Sequence, residues 1–378
     1  MKKRIYYSVL GGGQEIGASC HHLAFGGNRI LLDCGMGWRG GTIFGPDFTP
    51  LTERGQSPKE IQTVFVSHAH FDHIGYFPKL FAQCGTVPIY TSRLTAELGR
   101  TLLQDNLNVR HAPRQLDRCV EEICAVFAGV HHMEFARTMN FGDYRATFYE
   151  AGHIPGAAML YLETECGSIL YTGDFSVERT SLTNGPILPE DLKADLVIID
   201  GTYAKRPGYR PYRMSQQALQ NFAFMQRGSF ALRVNQATKG VELLNSLAMQ
   251  MAEGKFPKAR IYADETVWET AQSFLRAGLP VLSENCYPLR NGVMPFEEKS
   301  ICILSRSMGF ALPEYAFDFS LHAGFDELCS FIQTHARRDV VVVHSPAAKG
   351  AGGFYSLEAT CGGSFNFVYP ETGETYQF

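Results

Sequence analysis

Apolar residues in the first 200 positions come in short runs separated by Gly, Asp and Asn turns, a spacing that predicts strands rather than helices. Strands are predicted over Ile5–Leu10, Arg29–Leu32, Thr63–Ser67, Pro88–Thr91, Tyr144–Glu150, Ala158–Glu163, Ser168–Tyr171 and Leu196–Asp200. Helical patterns here are few: Ile74–Gln83, Arg93–Asn108 and a stretch around Leu116–Val126. After Asp200 the texture changes. Ser215–Arg227 and Lys239–Ala252 have helical periodicity, with short strands predicted at Arg260–Ala263, Gly278–Leu282 and Ser300–Ser305. That alternation predicts a parallel sheet in a separate, smaller domain. Leu321–His335 reads as a further helix. Asp339–His344, with its unbroken Val340–Val343 run, reads as a buried strand ending in a histidine.

Composition narrows the class. With 45% hydrophobic and 19% charged residues in 378, the chain is too apolar to be disordered, and its length suggests two domains or one carrying an insertion. Ten cysteines without a CxxC pair argue against a zinc ribbon or disulfide framework and for free thiols in a reducing cytoplasm. The N-terminus lacks the apolar core of a signal peptide, and no apolar stretch reaches the roughly 20 residues that span a bilayer. The expectation is a soluble cytoplasmic protein that does not contact membrane. The net charge of −4 hides one asymmetry: Gly201–Val241 contains Lys205, Arg206, Arg210, Arg213, Arg227, Arg233 and Lys239 and no acidic residue. Such a run is either a solvated face or a contact for a polyanion.

The densest chemistry lies in Ser67-His68-Ala69-His70-Phe71-Asp72-His73, which follows a predicted strand and precedes a predicted helix. Three imidazoles and a carboxylate within six residues can ligate borderline-soft divalent metals from two directions. If the turn aims His68 and His70 at one ion, Asp72 and His73 can reach a second about 3.5–4 Å away, the spacing of two-metal hydrolytic sites.

This run resembles the metal-binding signature of the metallo-β-lactamase superfamily, and further motifs follow in the family's order. Leu31-Leu32-Asp33-Cys34-Gly35 is similar to its first motif, which implies that Asp33 supports the metal loop from behind the ligands. Ala151-Gly152-His153 is similar to the third, implying His153 as a ligand of the first metal. Tyr171-Thr172-Gly173-Asp174 is similar to the fourth, implying that Asp174 bridges both ions. A redox di-iron role is disfavoured, because flavodiiron members carry a glutamate where this chain has His70.

Downstream, Ile199-Asp200-Gly201-Thr202-Tyr203, Ser320-Leu321-His322-Ala323 and Val341-Val342-Val343-His344 resemble the three extra motifs of the β-CASP branch, whose members are nucleases. The resemblance implies an α/β protein with the four-layer αββα metallo-β-lactamase fold, interrupted by a short α/β β-CASP insertion. The implied division is 1–200 and 319–378 for the main domain and 201–318 for the insertion. The implied ligands are His68, His70, Asp72, His73, His153, Asp174 and His344. The implied cofactors are two zinc ions, with manganese or iron as substitutes. Asp72, Asp200 and His322 are the implied catalytic residues, a metal-held hydroxide being the nucleophile and Asp200 with His322 the proton-donor pair. A histidine at the third extra motif tilts the substrate toward RNA. The branch further implies single-stranded RNA as partner and a homodimer, and the basic run offers Lys205, Arg206, Arg210 and Arg213 as phosphate contacts.

Three features depart from the pattern. The segment from Gly201 to Asp318 is short for a β-CASP insertion, Gly324 stands where an acid usually follows His-Ala, and Ser345 stands where glycine is common. Three functions therefore stay open. One is a metal-dependent ribonuclease. The second is a hydrolase of a small thioester, lactone or phosphodiester. The third is a non-catalytic nucleic-acid-binding subunit.

Overall fold

A computed structural model describes residues 4–108, 122, 125–205, 209–226, 228–289, 299–306, 312–346, 356–362 and 365–378, without the side chains of 104–108. Most of the helix predicted around Leu116–Val126 lies outside them. The chain folds as two compact units. The first comprises Met1–Val177, Gly185–Gly208 and His322–Phe378; the second comprises Glu178–Asn184 and Tyr209–Leu321. The sequence reading set the inserted unit at 201–318. The compact unit instead begins at Tyr209, ends at Leu321 and takes in Glu178–Asn184, a short excursion that no pattern in the sequence marks.

The first unit is built on two seven-stranded sheets. One runs Thr375–Gln377, Tyr6–Gly11, Cys20–Phe25, Asn28–Leu32, Thr63–Phe65, Ile89–Thr91, Val130–His132. The other runs Asn366–Val368, Ala336–Val343, Ala194–Asp200, Gly167–Tyr171, Ala158–Thr164, Tyr144–Glu150, Thr138–Asn140. Alternate side chains from both, among them Tyr7, Val9, Leu23, Ile30, Phe148, Leu160, Ile198 and Val341, meet in one core cluster. The period of two along each strand is what brings them to one face. Phe65, on the strand leading into the histidine loop, sits among Tyr90, Phe141, Tyr144 and Phe148 at ring separations of 5.4–6.5 Å. Contacts of this kind are worth about 0.5–1.5 kcal/mol each beyond area burial, so the base of that loop is held firmly. Two sheets sharing one core, with a second compact unit, agree with the architecture that the sequence resemblance implies.

Alternation also separates His21 from His22 on the Cys20–Phe25 strand. His21 faces the inter-sheet core, stacked on Tyr7 with its Nδ1 2.9 Å from the Tyr7 hydroxyl. His22 faces the other way; it is buried and neither ring nitrogen has a hydrogen-bond partner among the described residues. Burial, with help from Arg29 and Arg54, lowers the His22 imidazole from 6.5 to about 4. A histidine held neutral in this way contributes stability that is present above about pH 6.5 and lost as pH falls through about 4, because the unfolded chain binds the proton first. His22→Leu is therefore expected to be neutral or stabilising at pH 7 and to flatten the loss of stability between pH 6.5 and 4 in denaturant melts. An unchanged acid limb would show that this histidine does not set it.

The second unit carries a five-stranded, all-parallel sheet in the order Cys286–Pro288, Arg260–Ala263, Ser300–Leu304, Phe230–Arg233, Glu314–Ala316. Helices Tyr212–Met225, Ala237–Ala252 and Glu265–Arg276 accompany it. The strand predicted at Gly278–Leu282 is a turn instead. Gly278 takes φ +92° just after the Glu265–Arg276 helix, and Pro280 has no N–H for a ladder, so the edge strand forms later, at Cys286. Glu178–Asn184 is tied to this unit by the buried Glu242 carboxylate, which accepts from the Ser181 N–H at 2.7 Å.

Candidate metal centre

Residues from seven chain segments converge, six of them at or just beyond the C-terminal ends of strands. Asn28–Leu32 and Thr63–Phe65 are parallel neighbours, as are Gly167–Tyr171, Ala194–Asp200 and Ala336–Val343. Parallel strands deliver their following loops to one edge of a sheet, where α/β proteins build their sites. Asp33 follows the first strand, the histidine loop the second, Asp174 the third and His344 the last; Asp200 closes Ala194–Asp200, and His153 lies three residues after Tyr144–Glu150. His322 was expected inside a helix running from Leu321. The helix starts at Phe325, where the Glu327 carboxylate accepts the Gly324 N–H at 2.7 Å, so His322 sits on the preceding loop. That loop is pinned by the Ala323 N–H on the carbonyl of Phe175, next to Asp174.

Two of these residues adopt left-handed backbone conformations, Asp33 at φ 58° and His344 at φ 50°. Such positions cost about 1–3 kcal/mol each and persist only where the surroundings impose them. Here the Asp33 N–H is held by the carbonyl of Phe65 and the His344 N–H by that of Gly12. Gly35 is required by contact: a Cβ there would lie 1.6 Å from the Asp72 carbonyl oxygen. The Asp-Cys-Gly motif thus seats the backbone of the histidine loop.

Asp33 is fully buried and accepts from four donors: Ser67 N–H (2.7 Å), Ser67 Oγ (2.7 Å), Tyr171 Oη (2.6 Å) and His73 Nδ1 (2.8 Å). With Nδ1 donating to Asp33, the His73 ring keeps its Nε2 lone pair for the site. Ser67 and Tyr171, each beside a recognisable motif residue, were not singled out in the sequence; adjacency to His68 and to Thr172-Gly173-Asp174 was the only signal they carried.

The remaining side chains form two ligand clusters joined by Asp174. In the first, His68, His70, His153 and Asp174 place one donor atom each within 4.8 Å of one another. His68 Nε2 and His153 Nε2 lie 3.1 and 3.2 Å from His70 Nδ1, and 3.6 and 3.8 Å from Asp174 Oδ2. Donors at about 2.0–2.1 Å from a tetrahedral ion stand about 3.4 Å apart, so these separations suit an ion at their centre. In the second cluster Asp72, His73 and His344 come together, with His73 Nε2 3.4 Å from Asp174 Oδ1 and His344 Nε2 3.3 Å from Asp72 Oδ2. The nitrogen and oxygen donors fit divalent metals. Beside them the Asp200 Oδ2 carboxylate oxygen holds His322 Nδ1 at 2.8 Å, within reach of Asp174 and His344. His68, His73, His153, Asp174, Asp200 and His344 are buried, whereas His70, Asp72 and His322 are part-exposed and form the open side of the site.

Charge explains why the clusters call for cations. Burial alone would neutralise Asp72, Asp174 and Asp200, but the imidazoles of His344, His73 and His322 outweigh it and hold all three carboxyls below their usual range. Reciprocally, burial disfavours charge on His344, yet the carboxylates of Asp174, Asp200 and Asp72 push it up to about 10. His68 and His70 go the other way, the latter down to about 4, because burial dominates. Ligand nitrogens must be deprotonated to hold an ion, so metal binding at His73 and His344 would release protons.

The basic run disperses in three dimensions. Arg233 pairs with Glu314 at 3.0 Å and Lys239, buried, with Asp318 at 2.6 Å, so a stretch free of acids in sequence has them in space. The Lys205 ammonium bonds the Pro346 carbonyl, Arg210 and Arg213 are exposed, and Arg206 lies outside the described residues. Tyr212, next to Arg213 in sequence, is buried against Phe319.

Comparison with known proteins agrees with this geometry. The metallo-β-lactamase superfamily description matches residues 17–221, more than half of the chain, and the chain belongs to that superfamily. Ribonuclease TTHA0252 of Thermus thermophilus is 36% identical over 203 residues, 54% of this chain and 44% of that protein. Cleavage and polyadenylation specificity factor subunit 3-II of Arabidopsis thaliana is 28% identical over 314 residues, 79% of this chain and 50% of that protein. Within the superfamily the chain falls in the β-CASP branch. It spans about half the length of these curated relatives or less. A crystal structure of a protein of unknown function from Enterococcus faecalis shares the fold, with TM-score 0.64 at 14% identity, covering 99% of this chain and 100% of that one. Among the described residues no helix is long and apolar enough to cross a membrane.

Proposed function

We propose that the protein is a dinuclear-metal-dependent ribonuclease that hydrolyses phosphodiester bonds in single-stranded RNA in the cytoplasm. The observation that carries this reading is the pair of ligand clusters sharing Asp174 with the Asp200–His322 pair set beside them. Relatives named as a ribonuclease and as a cleavage factor supply the substrate class. His68, His70, His153 and Asp174 would hold one ion, and Asp72, His73, His344 and Asp174 the other, with zinc the best match to three imidazoles and a carboxylate. Two such ions, when bound, lower the pKa of a water and neutralise phosphate oxygens. The chain does the rest. Asp33 orients His73, and Asp200 holds His322 by Nδ1, which leaves the other ring nitrogen as the proton donor to the leaving 3′-oxygen.

The test combines elemental analysis with cleavage of 5′-labelled single-stranded RNA by wild type and by His70→Ala. Two zinc equivalents and cleavage by wild type alone are expected. Two metals without RNA cleavage would move the reading to a small-molecule esterase, and an absence of bound metal to a binding subunit.

Lys205, Arg210 and Arg213, together with Arg206, are the proposed phosphate-binding side chains. Neutralising them in pairs is expected to reduce the log–log salt slope of RNA binding by about one unit for each phosphate left unneutralised. A slope that stays at the wild-type value would assign them to solvent. Pairing of two copies into a homodimer is part of the same proposal and is read from the mass in solution.

A further inference from the structure

The Thr202 hydroxyl sits between His344 of the second cluster and the Asp200–His322 pair beside it. Its Oγ1 lies 2.7 Å from Asp200 Oδ1, 3.1 Å from His344 Nδ1 and 3.3 Å from His322 Nδ1. Its backbone N–H is also 2.9 Å from Asp200 Oδ1.

Proton counting settles the direction of these bonds. A hydroxyl has one proton to give and two lone pairs to receive. The Asp200 carboxylate has none to give, so the Thr202 proton goes to it, and Oγ1 is left as an acceptor. His322 Nδ1 has a closer partner in Asp200 Oδ2, at 2.8 Å. His344 Nδ1 has no nearer one: the Asp174 and Asp200 oxygens stand 3.5 and 3.6 Å away. The Nδ1–H of His344 is therefore the proton that Thr202 accepts. A neutral ring with its proton on Nδ1 keeps a lone pair on Nε2, the atom that faces Asp72 at 3.3 Å.

We propose that Thr202 is a positioning residue for the second metal ion, its hydroxyl fixing the tautomer and ring orientation of His344 and linking that ring to Asp200. The proposal rests on the dinuclear reading above. Outer partners of metal-binding histidines typically change affinity by about 10–100-fold when removed. The backbone N–H of Thr202 still supports Asp200 in any variant, so the substitution isolates the hydroxyl.

The experiment titrates metal-stripped protein with zinc in competition with a chromophoric chelator, for wild type, Thr202→Val and Thr202→Ser, with unfolding midpoints recorded for each. Thr202→Val is expected to bind one ion as wild type does and the second about 10–100-fold more weakly, while Thr202→Ser restores the second to within a few-fold. Thr202→Ala replaces the valine variant if the latter does not fold, with the same expected result. Unchanged affinity for both ions without the hydroxyl overturns the proposal. So does a serine variant as weak as the valine one, which would trace the effect to the methyl group. Wild type that takes up fewer than two ions would instead overturn the dinuclear reading.

Discussion

Asp174→Asn is expected to leave the protein with at most one tightly held ion and to lower RNA cleavage by about three orders of magnitude or more, the several kcal/mol that metal-ion charge stabilisation supplies. The reason lies in how its two oxygens are divided. Oδ2 faces His68 Nε2 and His153 Nε2 at 3.6 and 3.8 Å, whereas Oδ1 faces His73 Nε2 and His344 Nδ1 at 3.4 and 3.5 Å. Asparagine keeps the size but converts one oxygen to an NH2 group, which has no lone pair for an ion and points two protons into one cluster. It also removes the buried negative charge that both clusters share. Metal content by elemental analysis and single-turnover cleavage check this together, with far-ultraviolet circular dichroism confirming the fold. An asparagine variant that still holds two ions would show that Asp174 is not shared between them.

His322→Ala has a different expected profile: both ions retained, and cleavage of ordinary RNA slowed by about 10²–10⁴-fold, the range for a positioned proton donor. The distinguishing measurement uses the leaving group. A phosphodiester whose leaving oxygen needs no proton, such as a nitrophenyl ester, should be cleaved by the variant at a rate within about tenfold of wild type, since only protonation of the leaving oxygen has been removed. Equal slowing of both substrates would assign His322 to ion or substrate binding instead. Asp200→Asn should follow His322→Ala in direction, because the carboxylate acts through the ring it holds at 2.8 Å.

The chemistry was more legible in the sequence than its supports were. Three histidines and an aspartate packed into His68–His73 stand out because few other needs concentrate such residues, and the structure brings all four together with His153, Asp174 and His344. Residue type alone would not have done it. His21 and His22 are adjacent and buried too, yet strand alternation sends them to opposite faces and neither joins a cluster. Ser67, Tyr171 and Thr202 escaped notice because a hydroxyl acquires its role only from what the fold sets beside it. The acid-free run after Gly201 likewise says nothing of its partners in space, since Glu314 and Asp318, which pair with Arg233 and Lys239, lie about eighty residues further on. The strands that apolar spacing predicts in the first unit are all present, but it does not mark Cys20–Phe25 or the edge strands, and the Gly278–Leu282 expectation failed where glycine and proline override an apolar pair.

His344 is held by Gly12 through a backbone hydrogen bond, and Tyr6–Ser8 pair with Thr375–Gln377, so the second cluster is closed by a loop of chain more than three hundred residues long. The first cluster needs nothing beyond Asp174. On a growing polypeptide the two would be completed at very different moments, with all of Tyr209–Leu321 still to be synthesised in between. On the two-ion reading, a ribosome-bound fragment ending shortly after Asp174 already carries every donor for one ion and cannot yet assemble the second. Activity toward RNA would then stay silent until synthesis had passed His344.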